Sequence, residues 1–345
     1  MVDFAGWDMP VQYSSIVAEH QAVRTAVGLF DISHMGRLEF SGPDASWFLN
    51  FLTTNNVRNL DVGEIQYSLI VNERGGILDD ILVYRFPDNY LMVVNASNRE
   101  KILRWIEERR HEYDFLLRDL TTSHAMLALQ GPRAEKILNP LVDIDLKQIR
   151  YYRGAGAHSL DQSVLVSRTG YTGEDGFEIV IPAEHGIRLW ETLMHAGADH
   201  GILPCGLGCR DTLRLEAAMP LYGHEMNEQI DPYTAGLGFA VKLDKGPFVG
   251  QQSLVEIKQR TDRLKRVGLE LEGKRIAREG ALIFADNRQV GHVTSGTFSP
   301  TLEKSIAMGY LPQRLAVPGT HLEADIRGTK VPAKVTPLPF YKRTN

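Results

Sequence analysis

The stretch "NERGGILDDILVYRF", residues 72–86, sets Asp79 and Asp80 side by side inside an apolar run. Aspartate is depleted in strands, and a buried carboxylate without a partner is expensive enough that it neutralises or finds one. Side chains alternate faces along a strand. Asp79 is therefore expected to share a face with Ile77, Ile81 and Val83, and Asp80 with Leu78, Leu82 and Tyr84. Acids on opposite faces cannot flank one glycosidic bond, which excludes a glycosidase pair. One of them can enter a pocket as a fixed charge or a proton acceptor. The plainer alternative is that one caps a turn amide and the other pairs with an arginine.

Two further stretches carry chemistry. In "SRTGYTGEDGFEI" glycines surround Tyr171, and Glu178 follows between Phe177 and Ile179 in an apolar strand. Glu174 and Asp175 fit a solvated hairpin loop, but Glu178 is a strand residue whose carboxylate can take two parallel N–H donors, as an amino-pyrimidinone edge offers. No GK[ST] follows, so the loop is no phosphate cradle. In "CGLGCRDTLRLEAAMPLYGHE", Arg210 and Arg214 stand at i, i+4 on one helix face. They serve either as helix salt bridges with Asp211 or Glu216 or as a carboxylate clamp, for which a guanidinium fork is suited. "GLGCRD" lacks the third glycine and the preceding strand of a dinucleotide fingerprint. Asp31, Ser33 and His34 in "LFDISHMG" are too close in sequence to converge as a triad, and no G-x-S-x-G elbow exists. Cys205 and Cys209 have no spaced partners for a metal site and are expected in the core.

The elements that must hold these residues are mixed. "HMGRLEFSG" alternates as a strand and turns at Gly42-Pro43, and "DASWFLNFL" opens a helix with Asp44 as its N-cap. A strand pair hinged on Gly75-Gly76, the strand "YLMVVNAS" and a helix with Ile102, Trp105 and Ile106 on one face follow. This order points to antiparallel α+β layers and not to a doubly wound sheet. A second α+β stretch contains the helices "GIRLWETLMHAG" and "LGCRDTLRLEAAM", the latter stopped by Pro220. "IKQRTDRLKR" reads as a surface helix or connector, and from Val267 the chain turns β-rich, as a small all-β unit would.

With 345 residues, two or three domains are expected. A formal charge of −5 with interspersed signs argues against nucleic acid as a partner. No apolar run reaches the ~18 residues of a membrane span. The start lacks the basic and apolar regions of a signal peptide, and two cysteines favour a reducing compartment. A cytoplasmic bacterial setting is expected, and a processed mitochondrial form would look the same.

Read together, "DFAGWDMPVQY", "VGLFDISHMG", "GGILDD", "LALQGP", "RTGYTGEDGFE", "RDTLRLEAAMPLYGHE" and "VTSGTFSPTLEKSIAMGY" occur in the order found in the aminomethyltransferase (T-protein) of the glycine cleavage system. The chain resembles that family over essentially its whole length. The resemblance implies an α+β fold of three domains in a ring around a folate-binding channel. Residues 1–250 would form two interleaved folate-binding domains, and residues 262–345 a β-barrel-like C-terminal domain. It implies transfer of a one-carbon unit from the aminomethyl-dihydrolipoyl arm of the H-protein to tetrahydrofolate, with no metal. Carried over by motif, Asp80 matches the key acid, Glu178 the acid on the pterin ring and Arg210 the arginine on the glutamyl carboxylate. Tyr67, Asn95 and Tyr171 match pocket-lining positions, and Tyr341 in "PLPFYKRTN" matches a C-terminal tyrosine that touches folate. Asp79 is left to structure, satisfied by backbone or a basic neighbour. Family members carry a leading segment with a Thr-Pro-Leu stretch, so a late start or a truncation is expected here. Two rivals share the fold: a folate-dependent demethylase, and an iron–sulfur assembly factor. The latter needs a cysteine where "KGPFVGQ" has Pro247.

Overall fold

The first half of the chain builds two sheets that interrupt one another. The structure, a computed structural model, describes residues 1–344. After a short hairpin of Val2–Phe4 and Trp7–Met9, the strand Val27–Asp31 enters a six-stranded sheet whose other members all lie between His124 and Pro204. The chain between them, from Gly36–Ser41 to Leu116–Asp119, forms a separate five-stranded antiparallel sheet. This insertion is the interleaving that the family resemblance implied. The third unit is a closed six-stranded barrel running from Leu264–Leu271 to Thr329–Thr336. Asn345, the last residue of the expected barrel domain, lies outside the described residues.

The hinge of the acidic hairpin, Ile65–Val71 with Ile77–Arg85, is built from its own side chains. Asn72 Oδ1 accepts the backbone N–H groups of Arg74 and Gly76, both at 3.0 Å, and Gly75 takes φ +83°. A Cβ on Gly76 would lie 1.8 Å from the Glu228 carbonyl oxygen, so the loop 227–230 can close over the hairpin only because that residue is glycine.

The expected alternation fails at one point. Ile70 pairs with Asp79 but Val71 pairs with Ile77, so Leu78 is the extra residue of a β-bulge. Leu78 consequently joins Ile81 and Val83 in one apolar core, whereas Ile77 joins Leu69 and Val71 in another. From Asp79 onward the alternation holds, and Asp80 shares its side with Leu82 and Tyr84. Other differences are local. Asp44 occupies the N-cap position of Ala45–Leu52, but its carboxylate accepts the Asp114 N–H at 2.9 Å and not a helix N–H. The helix Leu207–Glu216 ends before Pro220, where Ala218 turns to φ +54°. Cys205 and Cys209 are buried among Val23, Phe30 and Leu213, as expected for free thiols.

Candidate active site

Where the two sheets and the loop after Leu207–Glu216 meet, a cavity of about 970 Å³ opens. Asp80, Tyr67, Asn95, Tyr171, Glu178 and Arg210 all line it. Tyr341 is not among the lining residues. Its hydroxyl donates to Glu174 at 2.7 Å, and its ring lies 4.0 Å from the Arg24 guanidinium carbon.

Asp80 is held by neutral donors: Asn95 Nδ2 at 2.7 Å to Oδ1 and the Tyr67 hydroxyl at 3.2 Å to Oδ2. Burial pushes its carboxyl up to about 6 against the pull of those hydrogen bonds. Asp79 is 0 % exposed and faces away from the cavity. Its Oδ1 accepts from Asn95 Nδ2 at 2.8 Å and Asn98 Nδ2 at 2.6 Å, and its Oδ2 from the Asn95 backbone N–H at 3.0 Å. A backbone donor was expected; the basic neighbour offered as its alternative is replaced by two side-chain amides. Burial, then the charge of Asp80, pushes Asp79 up to about 8. Glu178 sits in Gly176–Pro182, paired across to Ala128 and Ser167, and Thr169 Oγ1 donates to its Oε2 at 2.5 Å. Burial raises this acid also.

The two arginines of Leu207–Glu216 part company. Arg214 is the structural one: it bonds Asp211 at 2.8 Å, Glu225 at 2.9 Å and Ser295 of the barrel at 2.9 Å. The partner expected at Glu216 is taken by Arg24 instead. Arg210 forms no ion pair among the described residues. Its guanidinium carbon lies 4.9 Å from the ring centre of Tyr171, and burial lowers its affinity for the proton. The Tyr171 hydroxyl donates to the Pro220 carbonyl at 2.6 Å, which ties the glycine loop to the segment after the helix. That loop is not the solvated hairpin expected. Glu174 pairs with Arg24 of the helix Ile16–Thr25 at 3.0 Å, because the loop packs against that helix, and Asp175 accepts from Arg168 Nε at 2.9 Å.

Among the lining residues that went unread are His34 and Phe239. His34, set aside in sequence as part of a false triad, reaches the cavity wall; burial and then Arg210 and Arg37 drive it down to about 3, so its ring is neutral. Phe239 stacks on Tyr67 with ring centres 5.8 Å apart and stands exposed at the rim. Its sequence context, "AGLGFAV", carries no signal for this. Among the described residues no group of three or more histidine, cysteine or acidic side chains is placed to hold a metal ion.

A half-buried acid held by an amide and a phenol, an unpaired arginine and a second acid in a strand wall can take a ligand with N–H donors and a carboxylate. Residues 1–245 match the family model described as the GCVT N-terminal domain, and residues 265–342 the glycine cleavage T-protein C-terminal barrel domain. The chain belongs to the glycine cleavage aminomethyltransferase family. A family member from Desulfitobacterium hafniense, named aminomethyltransferase, is 46% identical over 99% of this chain and 94% of its own length. One of the same name from Geobacillus thermodenitrificans is 48% identical, with the same coverage of both chains. The crystal structure of the glycine cleavage system aminomethyltransferase T from Bartonella henselae superposes with a TM-score of 0.92 at 34% identity, covering 99% of this chain and 94% of that one. Neither rival, the demethylase nor the assembly factor, gains support from these family relatives.

Proposed function

We propose that this chain performs the family's glycine-cleavage reaction in the cavity described. The one-carbon unit passes from aminomethyl-dihydrolipoyl H-protein to tetrahydrofolate, giving 5,10-methylenetetrahydrofolate, ammonia and the reduced lipoyl arm. The carbon exchanges its bonds to sulfur and nitrogen for bonds to two folate nitrogens, and the two N–H protons of folate leave on the thiol and the ammonia. A cationic carbon–heteroatom species lies on that path, and a preorganised carboxylate beside it lowers its energy. Asp80 has that role, as fixed charge or as acceptor of a folate proton. Glu178 receives the pterin N–H edge, Arg210 the glutamyl carboxylate, and Tyr67, Asn95 and Tyr171 shape the wall. Tyr341 contributes at one remove, through Glu174 and the glycine loop. The folate-binding region is assigned to residues 1–250 and the barrel to 262–345, and the setting is the cytoplasm. No helix among the described residues is long and apolar enough to cross a membrane.

The observation that carries this reading is Asp80 itself, a half-buried carboxylate fixed by two neutral donors in the same cavity as an unpaired arginine. Incubation with aminomethylated lipoyl H-protein and tetrahydrofolate tests it, by following ammonia and methylenetetrahydrofolate. The expected result is folate-dependent release of both; ammonia release indifferent to folate would sink the reading. Asp80→Asn is expected to bind folate and lose roughly 100- to 1000-fold in kcat, the scale of a lost preorganised electrostatic contact. A variant with full activity would remove Asp80 from the chemistry.

A further inference from the structure

We propose that Asp79 is a positioning residue for this reaction, the group that fixes the Asn95 amide so that it can hold Asp80. The inference rests on the one-carbon reading above and goes beyond it, since family resemblance leaves Asp79 to structure alone.

Stability gives no reason for an acid at this position. The side chain has no exposure and lies on the core side with Ile81 and Val83. No cation contacts it among the described residues, and the nearby Lys101 is engaged by the Tyr222 hydroxyl at 2.7 Å and by Glu228 at 3.2 Å. An apolar side chain of similar volume commonly stabilises such a site. What the carboxylate does instead is collect three N–H donors, two of them from Asn95.

The consequence falls on Asn95. Its Nδ2 carries two hydrogens, and they have two carboxylate targets, Asp79 Oδ1 at 2.8 Å and Asp80 Oδ1 at 2.7 Å. A side-chain amide has nearly the same shape when rotated by half a turn, so packing alone does not choose between its ends. Asp80 Oδ1 and the Asp80 carbonyl oxygen at 3.2 Å favour Nδ2 from one side, and Asp79 fixes it from the other. Its Oδ1 already accepts from Asn98 Nδ2, so whether or not Asp79 carries a proton it presents an acceptor, and the arrangement with Nδ2 inward avoids setting oxygen against oxygen. Asp80 is then gripped at Oδ1 by the amide and at Oδ2 by Tyr67, and the plane of its carboxylate is set before any ligand arrives. Asn95 Oδ1 remains as an acceptor for a ligand N–H in the cavity that Asn95 lines. The other titratable groups that face the pair are Tyr67, Tyr152, Tyr171 and Tyr222, all neutral.

Asp79→Asn tests this. The new amide sets an N–H against the Asn95 backbone N–H or against the Asn95 and Asn98 side-chain amides, and either way the hold on Asn95, and through it on Asp80 Oδ1, is loosened. Expected is a fall in kcat of about 100-fold, the scale of a reacting group misplaced by an ångström, with the tetrahydrofolate Kd moving less than about threefold. Expected also is that the Asn95 side-chain amide protons, protected from solvent exchange in the parent, exchange freely in the variant when followed by 15N NMR. The exchanged pair Asp79→Asn/Asn95→Asp restores a carboxylate–amide contact while leaving no N–H for Asp80. It also sets a second carboxylate against Asp80, so it should recover neither the kcat nor the full melting temperature of the parent; in the folded fraction, a lost kcat beside a nearly unchanged tetrahydrofolate Kd separates positioning from folding. The proposal is overturned if Asp79→Asn keeps kcat within twofold, if its Asn95 protons stay protected, or if the exchanged pair recovers activity. Failure of the parent to release ammonia with folate would instead strike the one-carbon reading, while the NMR measurement would still decide the hold on Asn95.

Discussion

Two groups of acids in this molecule titrate in opposite directions. Glu216 and Glu225 lie where the helix Leu207–Glu216 meets the barrel, both without exposure. Burial alone would raise Glu216, but His20 at 3.2 Å, Ser299 at 2.5 Å and Arg24 at 2.8 Å outweigh it and hold the acid down at about 2. Glu225 is lowered in the same way against burial by Arg214 and by Thr294 at 2.5 Å. Asp79 is just as buried, Glu178 nearly so and Asp80 half-buried at the cavity, and all three are raised. The cation makes the difference. The acids at the barrel junction are paired with arginines within the fold, whereas Asp79, Asp80 and Glu178 accept hydrogen bonds from neutral donors only.

The sharpest way to break this contrast uses the two arginines one helical turn apart. Arg214→Met strands Glu225 without its counter-charge, and the expected cost is about 3–5 kcal/mol in unfolding free energy. Urea denaturation measures it, and a loss under about 1 kcal/mol would place Arg214 with exposed pairs of little worth. Arg210→Ala should do the reverse. Its guanidinium has no partner to strand, so the unfolding midpoint is expected to hold, while tetrahydrofolate binding weakens by roughly 2–4 kcal/mol through a lost charged contact. An unchanged folate Kd would take the carboxylate away from Arg210.

Sequence could not have separated these arginines, because both have the same spacing to the same helix face. Their fates depend on Glu225 and Ser295, contributed by a loop and by the barrel. The same limit applies to Glu174, whose polar glycine-rich context reads as solvent until Arg24 arrives from a distant helix; Asp175 is met by Arg168 of its own stretch once the loop folds back. What was legible is local. Strand period placed Asp80 and Asp79 on opposite sides, and glycine marked the hinge. The bulge at Leu78 escaped, since nothing in "GGILDD" distinguishes a regular strand from one carrying an extra residue. Ordered motifs placed the cavity residues by resemblance, whereas the bridge from Asp79 through Asn95 to Asp80 joins residues whose meeting only the sheet arranges.

Acid titration sharpens the comparison further. Glu216 is depressed in the folded state below its ordinary 4.5, so the stability it contributes is present above that value and is lost as pH falls toward about 2. Asp79, raised to about 8, has the opposite sign: its contribution is complete below the ordinary 3.8 and is lost as pH rises toward 8. Unfolding free energies measured from pH 3 to 9 should therefore fall at the acid end in the parent, and that acid loss should shrink in Glu216→Gln. A Glu216→Gln variant with an unaltered acid limb would show that the junction does not depend on this charge.

The smallest expected effect isolates a single donor. Tyr67→Phe removes the hydroxyl 3.2 Å from Asp80 Oδ2 and keeps the ring that stacks on Phe239. One hydrogen bond to a charged group is worth about 1.5–3 kcal/mol at most, and here the longer of the two is lost while Asn95 remains. That hydroxyl also favours ionised Asp80. Activity that needs the carboxylate rises with pH through about 6 in the parent, and in Tyr67→Phe the rising limb should move to higher pH. Profiles of kcat/KM for the two proteins decide it. Coincident limbs would mean that Asn95 alone sets the Asp80 carboxylate, and the weight of the cavity's electrostatics would then pass to the Asp79 side of the pair.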